Sequence, residues 1–345
     1  MKGRGGRLLL GMLLAAGLLA LFFRGIDWSA LGQALRGARA VPLAGLVLVT
    51  LAVYSMRAWR WGDLLAPLGR VGYADLFSAT MVGFASGLLV PRAGELLRPW
   101  LISRRHPIST SAGFATIILE RLIDLITVLA LFALYLFVLP TPAAQIEGRL
   151  MDVIKLGGAA TGVGALGVLA FLIALHSNAE RVVSAVERLL ARAPRWVAEP
   201  LGRILKAFSE GLAVLRAPFP HLAKIAAQSL VIWLLIGLGF HLNHMAFDID
   251  LPFQATFLLI AFLVVGVAIP TPGMVGGFHA FYLIALSQVF GVDRTAAAAA
   301  GIAAHALTNL PILVFGLALL GREGLSLGRV AAVTRDEQKL SEVRP

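Results

Sequence analysis

Long apolar stretches alternate with short charged segments along this chain, and that alternation leaves few folds open. Leu8–Phe23, Val41–Met56, Ala112–Leu139, Leu156–Leu175, Ala226–Phe247 and Ala296–Leu320 are apolar almost throughout. A helix needs about 20 such residues to cross about 30 Å of hydrocarbon. Only 14% of the 345 residues are charged, and 59% are apolar. Soluble domains carry about 25% charged residues, so this chain has too few polar side chains to cover a water-facing globule. The expected fold class is all-α, a polytopic integral membrane protein with about six full spans. Composition also excludes disorder, collagen and coiled coil. The absence of cysteine excludes a disulfide framework, a thiol nucleophile and a thiolate metal site. A net charge of +11 would suggest nucleic acid in a soluble protein. In a membrane protein, Lys and Arg in loops facing anionic lipid account for it. No aromatic-plus-basic module is present, so no nucleic-acid partner is expected.

The N-terminus resembles a signal peptide, with Lys2, Arg4 and Arg7 before the first apolar run. That run is long for a signal sequence. The first A-x-A site after it, Ala38-Arg39-Ala40, lies far downstream. An uncleaved first span over residues 8–23 is expected, with its start in the cytoplasm.

Two further apolar regions are interrupted. Asp75–Val90 is followed by Pro91-Arg92-Ala93-Gly94-Glu95 and then the short piece Leu96–Ile102. Gln254–Ile269 is followed by Pro270-Thr271-Pro272-Gly273-Met274-Val275-Gly276-Gly277 and then Phe278–Phe290. At 1.5 Å per residue these arms are too short to span. Each pair is expected to be a re-entrant hairpin, over 75–102 and 254–290.

Loop charge orients the segments through the positive-inside rule. Arg57, Arg60 and Arg70 precede the first hairpin, and Arg104 and Arg105 follow it. Both flanks favour the cytoplasm. His176–Lys224 carries eight Lys/Arg against four Glu and also favours the inside. Asp248 and Asp250 suit the outside. One loop departs from the rule: Arg24, Arg36 and Arg39 would face outward, and Trp28, Leu31 and Leu35 make that loop an interfacial helix. The result is an inverted-topology repeat of the kind transporters use. Residues 1–152 form the first repeat, with spans 8–23, 41–56 and 112–139 around the inward hairpin. Residues 153–321 form the second, with spans 156–175, 226–247 and 296–320 around the outward hairpin. Within it, 177–220 is an amphipathic cytoplasmic insert, and 322–345 is a cytoplasmic tail.

The first tip suggests chemistry. A helix restarting after a break presents free N–H groups that favour anions. Arg92 and Arg98 flank Gly94, and guanidinium forks onto phosphate. Glu95 is placed to pair with either arginine and hold it. The plainer reading is a Gly/Pro turn with snorkelling arginines. Glu120, Arg121 and Asp124 lie deep in the next span, where ionisable groups are costly and mark function or a buried pairing. Glu120 and Asp124 share one helix face, and Arg121 can neutralise either. The second tip has no charge. Pro270, Pro272, Gly273, Gly276 and Gly277 permit irregular backbone near a cavity or close helix packing, and His279 opens the second arm. The last span holds His305 and Asn309. His241 and His244 have ligand spacing, with Asp248 beyond them, but interfacial histidines are common without metal, and no metal is expected. Nucleophile-elbow, zinc-protease and Walker motifs are missing, so no catalytic residue or cofactor is expected.

Pro91-Arg92-Ala93-Gly94-Glu95-Leu96-Leu97-Arg98, Glu120-Arg121-Leu122-Ile123-Asp124 and the Pro270–Gly277 segment together resemble the flippase-like transmembrane family. This is the membrane domain of lysylphosphatidylglycerol synthase and its relatives, and the resemblance covers essentially the whole chain. Met274 replaces a glycine of the family pattern, His279 stands where an acid is usual, and His305 stands for a basic residue. The resemblance implies lipid handling: movement of an anionic phospholipid or a polyprenyl-phosphate-linked lipid between leaflets. It also implies a bacterial or archaeal cytoplasmic membrane, with both termini cytoplasmic. Its headgroup site would comprise Arg92, Gly94, Glu95, Arg98, Glu120, Arg121, Asp124, Pro270, Pro272, Gly273, Gly276, Gly277, His279, His305 and Asn309. The partners are membrane lipids, and a homo-oligomer is compatible with this reading. The chain stops at Pro345 with a short charged tail, so lipid aminoacylation is not expected. The alternatives are a component of glycolipid modification and an ion or metal transporter.

Overall fold

The computed structural model describes residues 2–89, 93–139, 212–269 and 271–324, with scattered positions from 152 to 188. The described residues are helical, with no strand among them. In chain order the helices are α1 (Lys2–Phe23), α2 (Trp28–Gly37), α3 (Ala40–Leu65), α4 (Tyr73–Leu89), α5 (Ala93–Ser103) and α6 (Thr110–Phe137). They continue as α7 (Phe219–Ala246), α8 (Ala255–Ala268), α9 (Gly277–Leu283) and α10 (Arg294–Arg322). Among them α3, α7 and α10 are long and apolar enough to cross a membrane, and the bent pair α1–α2 adds a fourth if counted as one. The length of α6 also suffices, but its middle turns carry Glu120, Arg121 and Asp124. Within the expected span 156–175, residues 156–160, 162–164, 166, 167 and 170 are described and helical; the rest of it, most of the insert 177–220 and the tail beyond Gly324 lie outside the described residues.

Local chemistry sets several boundaries. Asp27 caps α2 by accepting from the Ser29 and Ala30 amides, and Asp293 does the same for α10 with Thr295 and Ala296. Such caps satisfy amides that have no partner inside the helix. Helix α2 turns 87° away from α1. Its apolar stripe divides, with Leu31 buried and Trp28 and Leu35 exposed. Two arginines, Arg39 from a loop and Arg294 from the first turn of α10, serve the C-termini of other helices. Arg39 donates to the Met245 carbonyl and pairs with Asp248. Arg294 donates to the Leu21 and Arg24 carbonyls. Orphan carbonyls at a helix end welcome such donors. Arg39 thus has a structural use that explains its place in a loop the charge rule assigns to the outside.

Two compact units divide the chain by a different pattern from its sequence halves. One comprises 1–53, 127–162 and 232–314; the other comprises 54–126, 163–231 and 315–345. The core of the first gathers Phe22, Leu31, Phe240, Leu259, Phe278 and Tyr282 around the sealed run Ala297–Ala300. The core of the second gathers Trp61, Leu64, Leu76, Val82, Leu97 and Ile117.

Each unit contains one helical hairpin, α4–α5 in the second and α8–α9 in the first. In both, the arms meet at a pair of glycines eleven residues apart, 83 with 94 and 266 with 277. A Cβ on Gly94 would overlap the Gly83 carbonyl, and one on Gly277 would overlap the Gly266 carbonyl. Only glycine allows backbones so close. A shift of 183 residues therefore carries one hairpin onto the other, 83 to 266 and 94 to 277. The two arms of each hairpin thus pack against one another. At about 1.5 Å per residue, the 17 residues of α4 reach about 25 Å.

Candidate functional site

The densest group of buried charge lies in the second unit, on α3, α5 and α6. Arg57 and Arg60 sit one turn apart on α3, and Glu120 and Asp124 one turn apart on α6. Arg98 comes from α5, one turn past Gly94. All five are buried: Arg60 and Glu120 are fully sealed, and Arg57, the most accessible, is 6% exposed. Arg121 is the open member, with 40% of its side chain exposed.

Geometry pairs these groups closely. Arg98 donates a two-bond fork to Glu120, Nη1 to Oε1 at 3.0 Å and Nη2 to Oε2 at 3.1 Å. Asp124 accepts from Arg57 at 3.0 Å and from Arg60 at 2.6 Å. Arg60 also donates to the Ser229 hydroxyl of α7. Arg121 lies 3.4 Å from Glu120 and 3.9 Å from Asp124. Aromatic faces complete the setting. The Arg98 guanidinium lies 4.3 Å from the Trp61 ring, and Trp61 is fixed by donating to Thr116. The Phe84 ring faces Arg57, Arg98 and Arg121 at 5.4–5.7 Å. Gly83 leaves room for the stem of Arg98, which a Cβ there would strike.

Two expectations need correction. Glu95 does not hold Arg98: it is exposed in the first turn of α5, while the Arg98 fork goes to Glu120. The reason is burial, because a sealed guanidinium needs a sealed carboxylate and Glu95 is not one. Nor does Arg98 snorkel to water as the plainer reading of the tip has it, since it is 2% exposed. Arg92, at the other side of the tip, lies outside the described residues. Arg57 and Arg60 are the residues that sequence reasoning missed. They follow the apolar run 41–56 and read as loop charges, yet α3 continues to Leu65. Their three-residue spacing and the tryptophans around them were the available signal.

The uncharged residues assemble in the first unit. The tip between α8 and α9 has three positive-φ positions, Gly273 (φ 62), Met274 (φ 59) and Gly276 (φ 92), with an extended Val275 between the last two. His305 on α10 holds it by donating from Nε2 to the Gly273 carbonyl at 2.9 Å. Asn309 donates to the His305 carbonyl one turn away. His279 stacks at a tilt on His305, 4.7 Å between ring centres, with Phe22 edge-on at 5.3 Å. Pro272 begins the short turn Pro272–Met274, and Gly277 packs on Gly266. Pro270 lies outside the described residues. Asn243, also missed, is sealed and bonds the Tyr282 hydroxyl and the Ala300 carbonyl at 2.9 Å each. His244 is sealed against Tyr282, while Asp248 pairs with Arg39. Among the described residues, no three His, Asp or Glu side chains converge as a metal site would require.

The 183-residue shift relates the two groups. It carries Arg60 onto Asn243, both sealed. It carries Arg121 to within one residue of His305. One hairpin is therefore served by guanidinium and carboxylate, and the other by imidazole and amide.

Comparison with known proteins accords with these motifs. The family model described as the lysylphosphatidylglycerol synthase TM region matches residues 8–316. A protein of Haloferax volcanii named glycosyltransferase AglD is 25% identical over 359 residues, covering 97% of this chain and 56% of that protein. The chain thus spans about half the length of that relative. With a match over nearly its whole length, and with the two glycine-paired hairpins and the buried arginine–carboxylate group in place, the chain belongs to the family of the lysylphosphatidylglycerol synthase transmembrane region.

Proposed function

We propose that this membrane protein carries a phosphate-bearing lipid between the leaflets of the cytoplasmic membrane of a bacterium or archaeon. The observation that carries this reading is the buried arginine cluster. A headgroup crossing about 30 Å of hydrocarbon needs polar partners at depth, and guanidinium is the side chain best matched to phosphate. Charge at that depth is too costly to persist without a partner or a task. In this reading the two hairpins are re-entrant, the repeat is inverted, and both termini face the cytoplasm. The positive loops beside α3 and α5 support that orientation.

The test is reconstitution into liposomes containing a fluorescent phosphatidylglycerol, with quencher added outside. The wild-type protein should expose inner-leaflet label, and Arg121→Ala should slow this about tenfold, the equivalent of about 1.4 kcal/mol. Wild-type liposomes that behave like protein-free ones would end the proposal. A second reading, participation in glycolipid modification, is favoured by the name of the Haloferax volcanii relative. It predicts transfer of labelled sugar to lipid in vesicles whose leaflets do not exchange.

A further inference from the structure

We infer that the tip between α8 and α9, at Thr271, His279 and His305, binds the hydroxyl groups of a lipid headgroup, those of a glycerol or a sugar. The inference rests on the lipid-carrier reading and names the headgroup chemistry of its substrate.

Two unpaired polar groups are the starting point. Thr271 is 5% exposed and His279 is 7% exposed. Thr271 Oγ1 and His279 Nδ1 are sealed from solvent, and neither has a hydrogen-bond partner in the protein. Burying such groups unpaired is costly. Other threonines of the same unit avoid that cost. Thr256 and Thr308 donate their hydroxyls to backbone carbonyls about one turn back.

His305 links the two groups. Its Nε2 donates to the carbonyl of Gly273, in the turn that Thr271 opens, and its ring lies 4.7 Å from the His279 ring. An uncharged imidazole donates from one nitrogen and accepts at the other. With Nε2 committed to Gly273, the acceptor that His305 offers is Nδ1. His305 and residues 272–275 are only half-buried, so the tip is reachable beside its sealed groups.

The ligand must both give and take hydrogen bonds, because a threonine hydroxyl does both and an imidazole nitrogen with a lone pair only takes. A hydroxyl meets that demand. Phosphodiester oxygens only accept, and an ammonium group only donates. Residues 271–283 and 301–311 contain no Asp, Glu, Lys or Arg. The tip therefore has no side chain of fixed charge to hold an ion against the cost of burial. Its walls are aromatic: Phe22 lies 5.3 Å from the His279 ring, and Phe278 lies 5.2 Å from the His305 ring. Apolar walls with a few polar groups are the usual make-up of a small-molecule site.

The test uses the purified full-length protein in phosphatidylcholine nanodiscs, which offer no headgroup hydroxyl, at pH 8, above the usual imidazole range. Two probes of equal charge are titrated: dioctanoylphosphatidylglycerol, which carries headgroup hydroxyls, and dioctanoylphosphatidylpropanol, which carries none. The first should bind about tenfold more tightly, the worth of one well-placed hydrogen bond. Thr271→Val and His279→Phe should each shrink that preference and leave the affinity for phosphatidylpropanol unchanged. Thr271 Oγ1 has no partner to lose, so Thr271→Val should melt no earlier than wild type, which separates lost binding from lost folding. Equal wild-type affinity for the two probes overturns the inference and leaves water as the partner of these groups. The carrier reading would then stand or fall by the liposome assay alone. A preference that survives both substitutions overturns it too, since the hydroxyls would be read elsewhere. Tighter binding of dioctanoylphosphatidylethanolamine, lost in His279→Phe, would give the tip to an ammonium group and also overturn it. Failure of both probes to bind overturns it whatever the liposome assay gives. Free glycerol displacing phosphatidylglycerol at equal concentration would uphold the hydroxyl assignment while removing the lipid as its source.

Discussion

Arg98 and Glu120, 22 residues apart and on different helices, meet as a closed two-bond fork with both side chains sealed from solvent. The fork ties the second arm of the first hairpin to α6. It makes Arg98 a structural anchor for the cluster and leaves Arg121 as its reachable member.

Breaking that fork should be costly. Arg98→Ala leaves Glu120 charged and sealed, and loss of one partner of a buried pair costs about 3–5 kcal/mol. Arg98→Met combined with Glu120→Leu removes both charges and should recover most of the loss. Detergent-resistance and thermal melts of the two variants would decide. Equal stability of the single variant and wild type would mean that the pair is solvated.

The glycine contacts make a sharper prediction about the hairpins. Gly94→Ala places a methyl group against the Gly83 carbonyl, and Gly277→Ala places one against the Gly266 carbonyl. Backbone cannot swing aside as a side chain can, so each should cost about 1–3 kcal/mol. Gly17→Ala, with nothing within 4 Å, is the control and should melt with wild type. If Gly94→Ala also melts with wild type, the arms do not touch at that position.

Topology can be read with single cysteines, since the chain has none. Cysteine in place of the exposed Arg104 should react with an impermeant maleimide from the cytoplasmic side. Cysteines at the exposed positions Asp250 and Asp293 should both react from the other side. Opposite labelling of Asp250 and Asp293 would make the α8–α9 segment a full crossing and remove the inverted repeat.

A pH effect is expected at the entrance to α4, outside the three candidate spans. Partial burial pushes the Asp75 carboxyl up, but hydrogen bonds from His106 and Arg105 outweigh it, so its pKa lies below the usual value. A depressed carboxylate stabilises the fold above its unfolded pKa of about 4. That contribution disappears as pH falls through the folded value. Asp75→Asn should therefore melt slightly earlier than wild type at pH 6–8. Solvent screening holds the effect to about 0.2–1 kcal/mol. The two curves should begin to converge below about pH 4 and meet once pH is under the lowered folded value; a difference that persists there would assign it to packing.

Membrane character, the two broken apolar segments and the charged triplet of α6 were legible from residue order alone. Apolar run length and Gly/Pro breaks are local properties, set by the cost of placing backbone and charge in hydrocarbon. Local order likewise showed Glu120 and Asp124 on one helix face. It did not show which arginine each carboxylate takes. Arg57 and Arg60 read as loop charges, and Glu95 as the natural partner of Arg98, because proximity in sequence was the available guide. Tertiary structure decided otherwise, since pairing energy depends on which groups lose water together. Arg98 and Glu120 are sealed side by side, and Glu95 remains outside. The same holds for the glycines. Their abundance was plain in the sequence, but only folding brought 83 onto 94 and 266 onto 277, because backbone contact is set by how two helices cross.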